Sequence, residues 1–587
     1  MGVVLNREKP ALRNALDEGI LNWKSPDIEK ELYMNRILRT LPLQAAVVAL
    51  VLAAFACSPS PKVVADDDGA SSTSQVSAPA EQKLTFALQN EPDGLDPGIT
   101  SNSFASPVLM NVFEGLVKYD ADNNLVSGCA KDWSISDDGL TYTFTLQDDL
   151  KWSDGSPLKA QDFVYSYLRV LDPALGAQYT AMITDYIAGA AAYYAGEADV
   201  SAVGISAPAD DTLILTLKAP APYFLGILGM WVYSPVNQAT IDAAGDQWTL
   251  SAETFVSNGP FRMEEIAFGE GYTLVKNEHY WDAANVRLEE VAFRFIPDPS
   301  TALTALENGD IDGQYTIPSA DLPTLKATSD ALQIVPTYAS TYYEINCSKA
   351  PFDDVRVRQA LAMALDRQAI IENVLQSTDQ PAFSLVAPGY SVNGVAYEEG
   401  RSDYGLSATA NVEGAQALLA EAGYPNGEGF PAVELSYYTN ETVKSIVEAM
   451  QQMWQENLGI TVNVVTEEWA VYYEGIQALD YDIGAMGWGA DYMHPMTFFP
   501  LRVSDNGLNN SGWASEEYDR LVAAAQVETD PMKAMTLMRQ AEDILMNDMA
   551  LLPLYFRSAP MMMAPYVKGW HINPLRNMYL SGAYIES

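Results

Sequence analysis

The chain has 587 residues, of which 48% are hydrophobic and 10% aromatic, enough to close the cores of two to four domains and to exclude an intrinsically disordered protein. Against 33 lysines and arginines stand 77 aspartates and glutamates, a net charge of −44 that repels nucleic-acid phosphates and anionic lipid headgroups, so neither is an expected partner. Most of this acidity reads as a solvated coat whose field at most enriches cationic ligands near the surface.

Residues 34–57, MNRILRTLPLQAAVVALVLAAFAC, carry Arg36 and Arg39, then an uncharged apolar run, then Ala54, Phe55 and Ala56 before Cys57. This is the layout of a secretory signal peptide, with an apolar part too short to span comfortably the ~30 Å core of a bilayer, and the mature chain is expected to be exported. Cys57 stands where a bacterial lipoprotein is cut and lipidated, although Ala54 replaces the usual Leu and Phe55 is large for its place; ordinary cleavage after Ala56 is the alternative. Residues 1–33 are mixed in charge, unlike the start of an export signal, so Met34 is expected to be the true start and 34–56 the signal. Loss of residues 1–56 takes away 7 basic and 6 acidic residues and leaves 26 against 71, so the acidity belongs to the exported part. Cys129 and Cys347 then remain, and spacing does not decide between a disulfide and two buried thiols.

Residues 57–82, rich in Ser, Pro, Ala and Asp and free of aromatics, read as a flexible tether, in which the run Asp66 to Asp68 is solubilising. The body begins near Lys83. LTYTFTL at 140–146 and TLILTL from Thr212 alternate with period two and predict half-buried strands; AQDFVYSYLRVLDP between them predicts a helix stopping at Pro173. The C-terminal half alternates regularly: a helix over 412–422 ending at Gly423, a strand AVELSYYT, a helix over 441–458, a strand ITVNVV, a helix around 468–479, and a strand YDIGAMGW from Tyr481. That order predicts a right-handed, largely parallel α/β sheet.

Ligands of open α/β sheets gather at the carboxyl ends of the strands, and Asp491, in GWGADYMHP at 487–495, lies just past the strand expected to end at Trp488. No Lys or Arg occurs between Lys444 and Arg502 to neutralise it locally. Gly487 and Gly489 leave room for another backbone to approach. The plainer alternative makes Asp491 a cap for the turn or short helix before Pro495.

The three histidines, His279, His494 and His571, are scattered, without HExxH or paired-cysteine spacing, so no zinc site is expected. Neither GxSxG nor GxxxxGK[ST] occurs, and DADNNL at Asp120 and DIDGQY at Asp310 lack the Gly that a calcium loop needs at its sixth position, so both read as turns. Among 77 acidic residues no carboxylate pair stands out for glycoside hydrolysis.

Several stretches carry a resemblance when read together: LDP at Leu95, FEGL at Phe113, KWSDGSPLKAQDFVYSYLR at Lys151, SNGPF at Ser257, NEHYW at Asn277, LENGDID at Leu306, YYEINCSKAPFDDVRVRQALAMALDR at Tyr342, GWGADYMHP at Gly487 and YVKGW at Tyr566. In order and spacing the chain resembles the oligopeptide- and dipeptide-binding proteins of bacterial ABC importers, the extracellular solute-binding proteins of family 5. Most of these motif residues read as structural: Asp353 and Asp354 at a helix start, an apolar face of Val357, Leu361, Ala364 and Leu365, and Asp154 and Gly155 in a turn.

The resemblance implies an α/β, two-lobed periplasmic-binding-protein-like fold with an extra inserted α+β domain and a hinge between the lobes. Carried onto this chain, lobe I comprises 83–116, 234–339 and 556–587, the inserted domain 117–233, and lobe II 340–555. An extended peptide would lie between the lobes like an added strand, held through its main chain. Asp491 would pair with its ammonium group. Ser101, Asn102 and Ser103 would border it, Tyr179 would reach it, Glu344, Asn346 and the backbone from Gly487 to Gly489 would complete the contacts, and Trp488 would wall a side-chain pocket. Tyr179 and Trp488 read equally well as core aromatics. Two departures leave ligand length open: Gly489 replaces a Cys that some relatives carry, and Ala485 replaces an Arg that in some members meets the carboxyl end of short peptides.

The function implied is a monomeric, membrane-tethered binding protein, lipidated at Cys57 on the extracytoplasmic face or held in the periplasm. It would deliver oligopeptides to an ABC permease and its ATPase subunits, with no catalysis and no cofactor. A non-peptide solute in the same cleft (nickel complex, haem, glutathione or oligosaccharide) and a secreted hydrolase are the alternatives.

Overall fold

In the computed structural model of the protein, which describes residues 81–586, the body starts with β1 (Lys83–Leu88), whose Leu84 and Phe86 are fully buried while Lys83 is exposed. The expected signal at 34–56, Cys57 and nearly all of the tether lie outside the described residues. After α1 (Ser106–Val112) comes a smaller unit: β2 (Ala130–Ile135), β3 (Thr141–Leu146), α2 (Ala160–Val170), β4 (Ile205–Ala209) and β5 (Thr212–Thr216). Its strands form an antiparallel sheet in the order β2-β3-β5-β4, and the period-two pattern read at 140–146 and 212–217 buries Tyr142, Phe144, Leu213 and Leu215. The KWSDGSP turn precedes α2, with Trp152 N–H donating to Ser156 O at 2.9 Å and Gly155 at φ +85°, a backbone that favours glycine.

Beyond it run β6 (Phe261–Ala267), β7 (Gly271–Lys276), β8 (Glu290–Phe295), β9 (Gly313–Gln314) and the long β10 (Leu332–Ile345). Next are α3 (Val355–Met363), capped by Asp354, then α4 (Val412–Glu421), β11 (Val433–Tyr438), α5 (Glu441–Leu458), β12 (Val462–Glu467), α6 (Trp469–Gln477), β13 (Ile483–Gly489) and, near the end, β14 (Leu551–Met563). The apolar face foreseen for α3 is fully buried at Val357, Leu361, Ala364 and Leu365.

One large sheet takes the order β12-β11-β13-β10-β14-β9-β1-β8-β7-β6. β11 is parallel to both β12 and β13, as the alternation of strand and helix requires, because α5 and α6 serve as crossovers. The expected parallel order stops there. β10 is antiparallel to β13 and β14 is antiparallel to β10, so the sheet is mixed.

β10 and β14 carry the sheet from one half of the chain to the other. β14 meets β9 through Met562 and Met563, while β10 meets β13 through 339–345. Between these ends their ladder breaks: Pro336 faces Ser558 and Ser340 faces Phe556, so Thr337, Tyr338 and Ala339 together oppose the single residue Arg557. Such an excess bends a strand and re-aims its side chains.

Two main cores flank this crossing. One gathers Leu84, Phe86, Phe113, Trp248 and Phe293; the other runs from Phe144 and Trp152 through Tyr233 to Leu361, Trp454 and Leu545. Tyr223 stacks on Tyr492 and His494, with ring centroids 5.8 and 5.0 Å apart, and joins the smaller unit to the segment after β13. Cys129 is buried and Cys347 half-buried, both as free thiols. Among the described residues no helix is long and apolar enough to cross a membrane.

Candidate functional site

The bulge of β10, the end of β13 and the middle of β14 converge on a cavity of about 340 Å³. Thr337, Tyr338 and Ala339 line it from the bulge, Gly489 and Asp491 from beyond β13, Arg557 and Ser558 from β14. Ser101, Ser103, Tyr179 and Trp231 close it from the other side. A second hollow of about 360 Å³, beside His279 and Glu289, shares no lining residue with the first, and its Arg262 is already paired with Glu264 at 2.5 Å.

β13 ends at Gly489, and the segment after it is pinned to the bulge, with Ala490 N–H donating to Tyr338 O at 2.8 Å. Asp491 follows. Its N–H donates to Thr497 Oγ1 at 3.2 Å, and its half-buried carboxylate has no basic partner among the described residues. Burial pushes the carboxyl up to about 6, against a hydrogen bond from Thr497 that favours the ionised form. The helix cap before Pro495 is His494, whose Nδ1 accepts from Met496 N–H at 3.1 Å, so Asp491 is left free of that duty.

Tyr179 lies close enough for the Asp491 charge to add to the effect of burial, and both hold the phenol well above its ordinary pKa. Its ring meets Trp231 edge-on at 6.0 Å, and Trp231 Nε1 donates to Thr100 O at 2.9 Å, which fixes this wall to the loop carrying Ser101 and Ser103. Ser101 Oγ bonds Gln178 Oε1 at 2.5 Å, next to Tyr179. Gly489 opens onto the space: a Cβ there would find only Ala339 Cβ, at 4.0 Å.

The structure therefore brings together Asp491, Tyr179, Ser101, Ser103 and Gly489, and it places the other candidates elsewhere. Asn102 turns its side chain to cap a short helix, accepting from Phe104 N–H at 2.9 Å. Gly487 sits one pleat back, where a Cβ would collide with Arg557 Nη2 and would lie 2.8 Å from Ser340 O. Trp488, on the opposite face of β13 from its glycine neighbours, packs against the core. Glu344 is 1% exposed and forms two charged hydrogen bonds with the equally buried Arg502, at 2.7 and 2.9 Å, leaving it turned away from the cavity. Asn346 donates to Leu479 O and Tyr481 O at 2.9 and 3.1 Å and accepts from Ser348, which uses its amide fully in closing the strand end.

Trp231, Thr337, Ser558 and Arg557 were not foreseen. Arg557 had a readable signal, being the one charged residue in the thirteen of β14; Thr337 and Ser558 carried none, since their place depends on the bulge, and Trp231 is set by its contacts with Tyr179 and Thr100.

The family model described as bacterial extracellular solute-binding proteins, family 5 middle, matches residues 124–510. The oligopeptide-binding protein OppA of Bacillus subtilis is 34% identical over 513 residues, covering 86% of this chain and 92% of its own. The periplasmic oligopeptide-binding protein OppA of Salmonella typhimurium is 32% identical, with 86% and 93% covered. Among solved structures, the Escherichia coli murein tripeptide binding protein MppA superposes with a TM-score of 0.69 at 31% identity, over 86% of this chain and 99% of that one. The relatives are named as binding proteins, and their likeness runs the length of the described body. The chain belongs to the bacterial extracellular solute-binding proteins of family 5.

Proposed function

We propose that this protein captures oligopeptides in the cavity between Asp491 and the β10–β14 crossing and hands them to an ABC importer. The observation that carries the reading is the Asp491 carboxylate: half-buried, raised to about 6 by burial, and without a basic partner among the described residues. A ligand ammonium would supply the missing charge in a water-poor setting where such a pair is strong. The open backbone at Gly489 and the interrupted ladder at Thr337–Ala339 would offer main-chain partners to an extended ligand.

In this reading 83–116, 234–339 and 556–587 form lobe I, 117–233 the inserted domain and 340–555 lobe II, and ligand contacts from both sides favour closure about β10 and β14. The exported chain works as a monomer without cofactor or catalysis. It is held at the extracytoplasmic face of the membrane by lipid on Cys57 and docks on the permease with its ATPase subunits. Names borne by the relatives, which include oligopeptide-binding proteins, support the ligand class.

Mass spectrometry of ligands retained through native purification, followed by calorimetric titration with free and N-acetylated peptides, tests this. Uncut peptides with free amino ends should be recovered, and acetylation should abolish binding. Equal affinity for acetylated peptides, or peptides returned cleaved, would overturn it.

A further inference from the structure

Tyr223 does not line the cavity, yet it packs against the residue next to Asp491. It belongs to the smaller unit, on a turn closed at Ala221 O, which accepts from Phe224 N–H at 2.8 Å and from Tyr142 Oη at 3.1 Å. Phe224 and Ile227, just after it, are fully buried, so the turn stands on a packed base. From there the Tyr223 ring lies nearly parallel to two rings beyond β13: Tyr492, at 5.8 Å and 8°, and His494, at 5.0 Å and 18°. Tyr186 meets Tyr223 edge-on at 6.0 Å and Tyr390 meets His494 edge-on at 4.8 Å, which braces the stack from both sides. The loop carrying Asp491 is tied to β10 and to the helical turn after it by Ala490 N–H on Tyr338 O, at 2.8 Å, and Asp491 N–H on Thr497 Oγ1, at 3.2 Å. Its link to the smaller unit runs through side chains: the Tyr223 stack, and the Tyr119 phenol, which faces the Met493 backbone.

We infer that Tyr223 is a positioning residue for Asp491: by stacking on Tyr492 and His494 it fixes, from the smaller unit, the loop that presents the carboxylate. This rests on the peptide reading above. Tyr492 is 3% exposed and directly follows Asp491, so a ring held at one residue restricts the backbone of the other. The stack also lies beside the carboxylate itself. Burial first, and with it the Asp491 charge, holds the Tyr186 and Tyr492 phenols above their ordinary pKa. An aromatic pair contributes beyond its buried area, and here one ring makes two such pairs. A loop already held in its binding geometry loses less freedom when a ligand arrives, which raises affinity chiefly by slowing release. The contact needs no ligand atom, so it favours the arrangement in which the two units meet before any peptide contributes.

Three variants of the full exported chain test the assignment: Tyr223→Ala and Tyr223→Leu, which remove the flat ring, and Tyr223→Phe, which keeps it. Hydrogen exchange of the ligand-free protein, read on fragments covering 490–494, should quicken about tenfold in the Ala and Leu variants and stay within about twofold of wild type in Tyr223→Phe. Calorimetry and stopped-flow release with alanine peptides of two to six residues, free at the amino end, should show the same division. Affinity should fall about tenfold in Tyr223→Ala and Tyr223→Leu, through faster release, and hold in Tyr223→Phe. Melting curves identify the folded variants, and Tyr223→Leu, which keeps the bulk, decides the matter if Tyr223→Ala does not fold. Unchanged exchange or unchanged affinity in a folded variant without the ring, or an equal loss in Tyr223→Phe, would overturn the assignment and leave the peptide reading standing. If no peptide binds the wild type, the peptide reading fails and the assignment with it.

Discussion

Lowering the pH from 7.5 to 5 should weaken peptide capture about tenfold through a single group. With the Asp491 carboxyl at about 6 in the empty site, it is almost fully ionised at pH 7.5 and about one-tenth ionised at pH 5. If the ammonium-binding form is the ionised one, the apparent dissociation constant scales with the inverse of that fraction, which gives the factor of about ten. The sign follows from linkage: burial raises the pKa of the empty site, a bound cation lowers it, and affinity therefore falls as pH drops through about 6. The other carboxyl beside the cavity, Asp379 behind Ser558, is also raised by burial, and the Asp491→Asn control separates its contribution. Burial holds His494 down at about 3, a peptide amino group near 8 stays charged, and a peptide carboxyl near 3.5 stays ionised. The assay is calorimetry with one peptide at pH 7.5, 6.5, 6 and 5, repeated in buffers of different ionisation enthalpy, where binding near pH 6 should release about half a proton. Asp491→Asn should bind weakly and without pH dependence. A flat profile in the wild type, or the same slope in Asp491→Asn, would refute the reasoning.

Two further outcomes separate site from scaffold. Gly489→Leu should lower ligand affinity about tenfold or more with little change in melting temperature, since a Cβ there meets only Ala339 at 4.0 Å and the longer side chain fills ligand space; titration and calorimetric melting of the same sample check both. Glu344→Gln should instead destabilise the fold by about 3–5 kcal/mol in chemical denaturation, because it leaves the Arg502 guanidinium buried without its counter-charge; a folded remnant binding peptide with unchanged affinity would agree with a purely structural role.

Much of the secondary structure was written locally. α5 begins and ends where its Asn440 cap, its amphipathic spacing and Gly459 put it, and Asp491 stands past the end of a strand that continues one residue beyond the expected Trp488. Glu344 shows where local reading stops. A glutamate in a strand next to a ligand-binding neighbourhood could face either way, and its partner, Arg502, comes 158 residues later through long-range packing. Asn346 was hidden likewise, since its carbonyl partners at Leu479 and Tyr481 belong to a loop that the strand meets only in the fold. Arg557 entered the cavity because of register: a ladder of one-to-one pairs would not set three residues of β10 against it, and the one hint, Pro336 at the edge of the break, does not say how many residues follow unpaired.

That break has a mechanical side. β10 and β14 connect the strands on either side of the crossing, and a paired ladder resists bending where it is continuous and yields where it is interrupted. In the reading proposed above, Thr337–Ala339 would be at once the lining of the cavity and the joint, and an occupant bonded to them would act as a splint across the axle. Occupancy and stiffness would then be a single variable, and a permease sensing how rigid this crossing is would thereby sense whether the cavity is full.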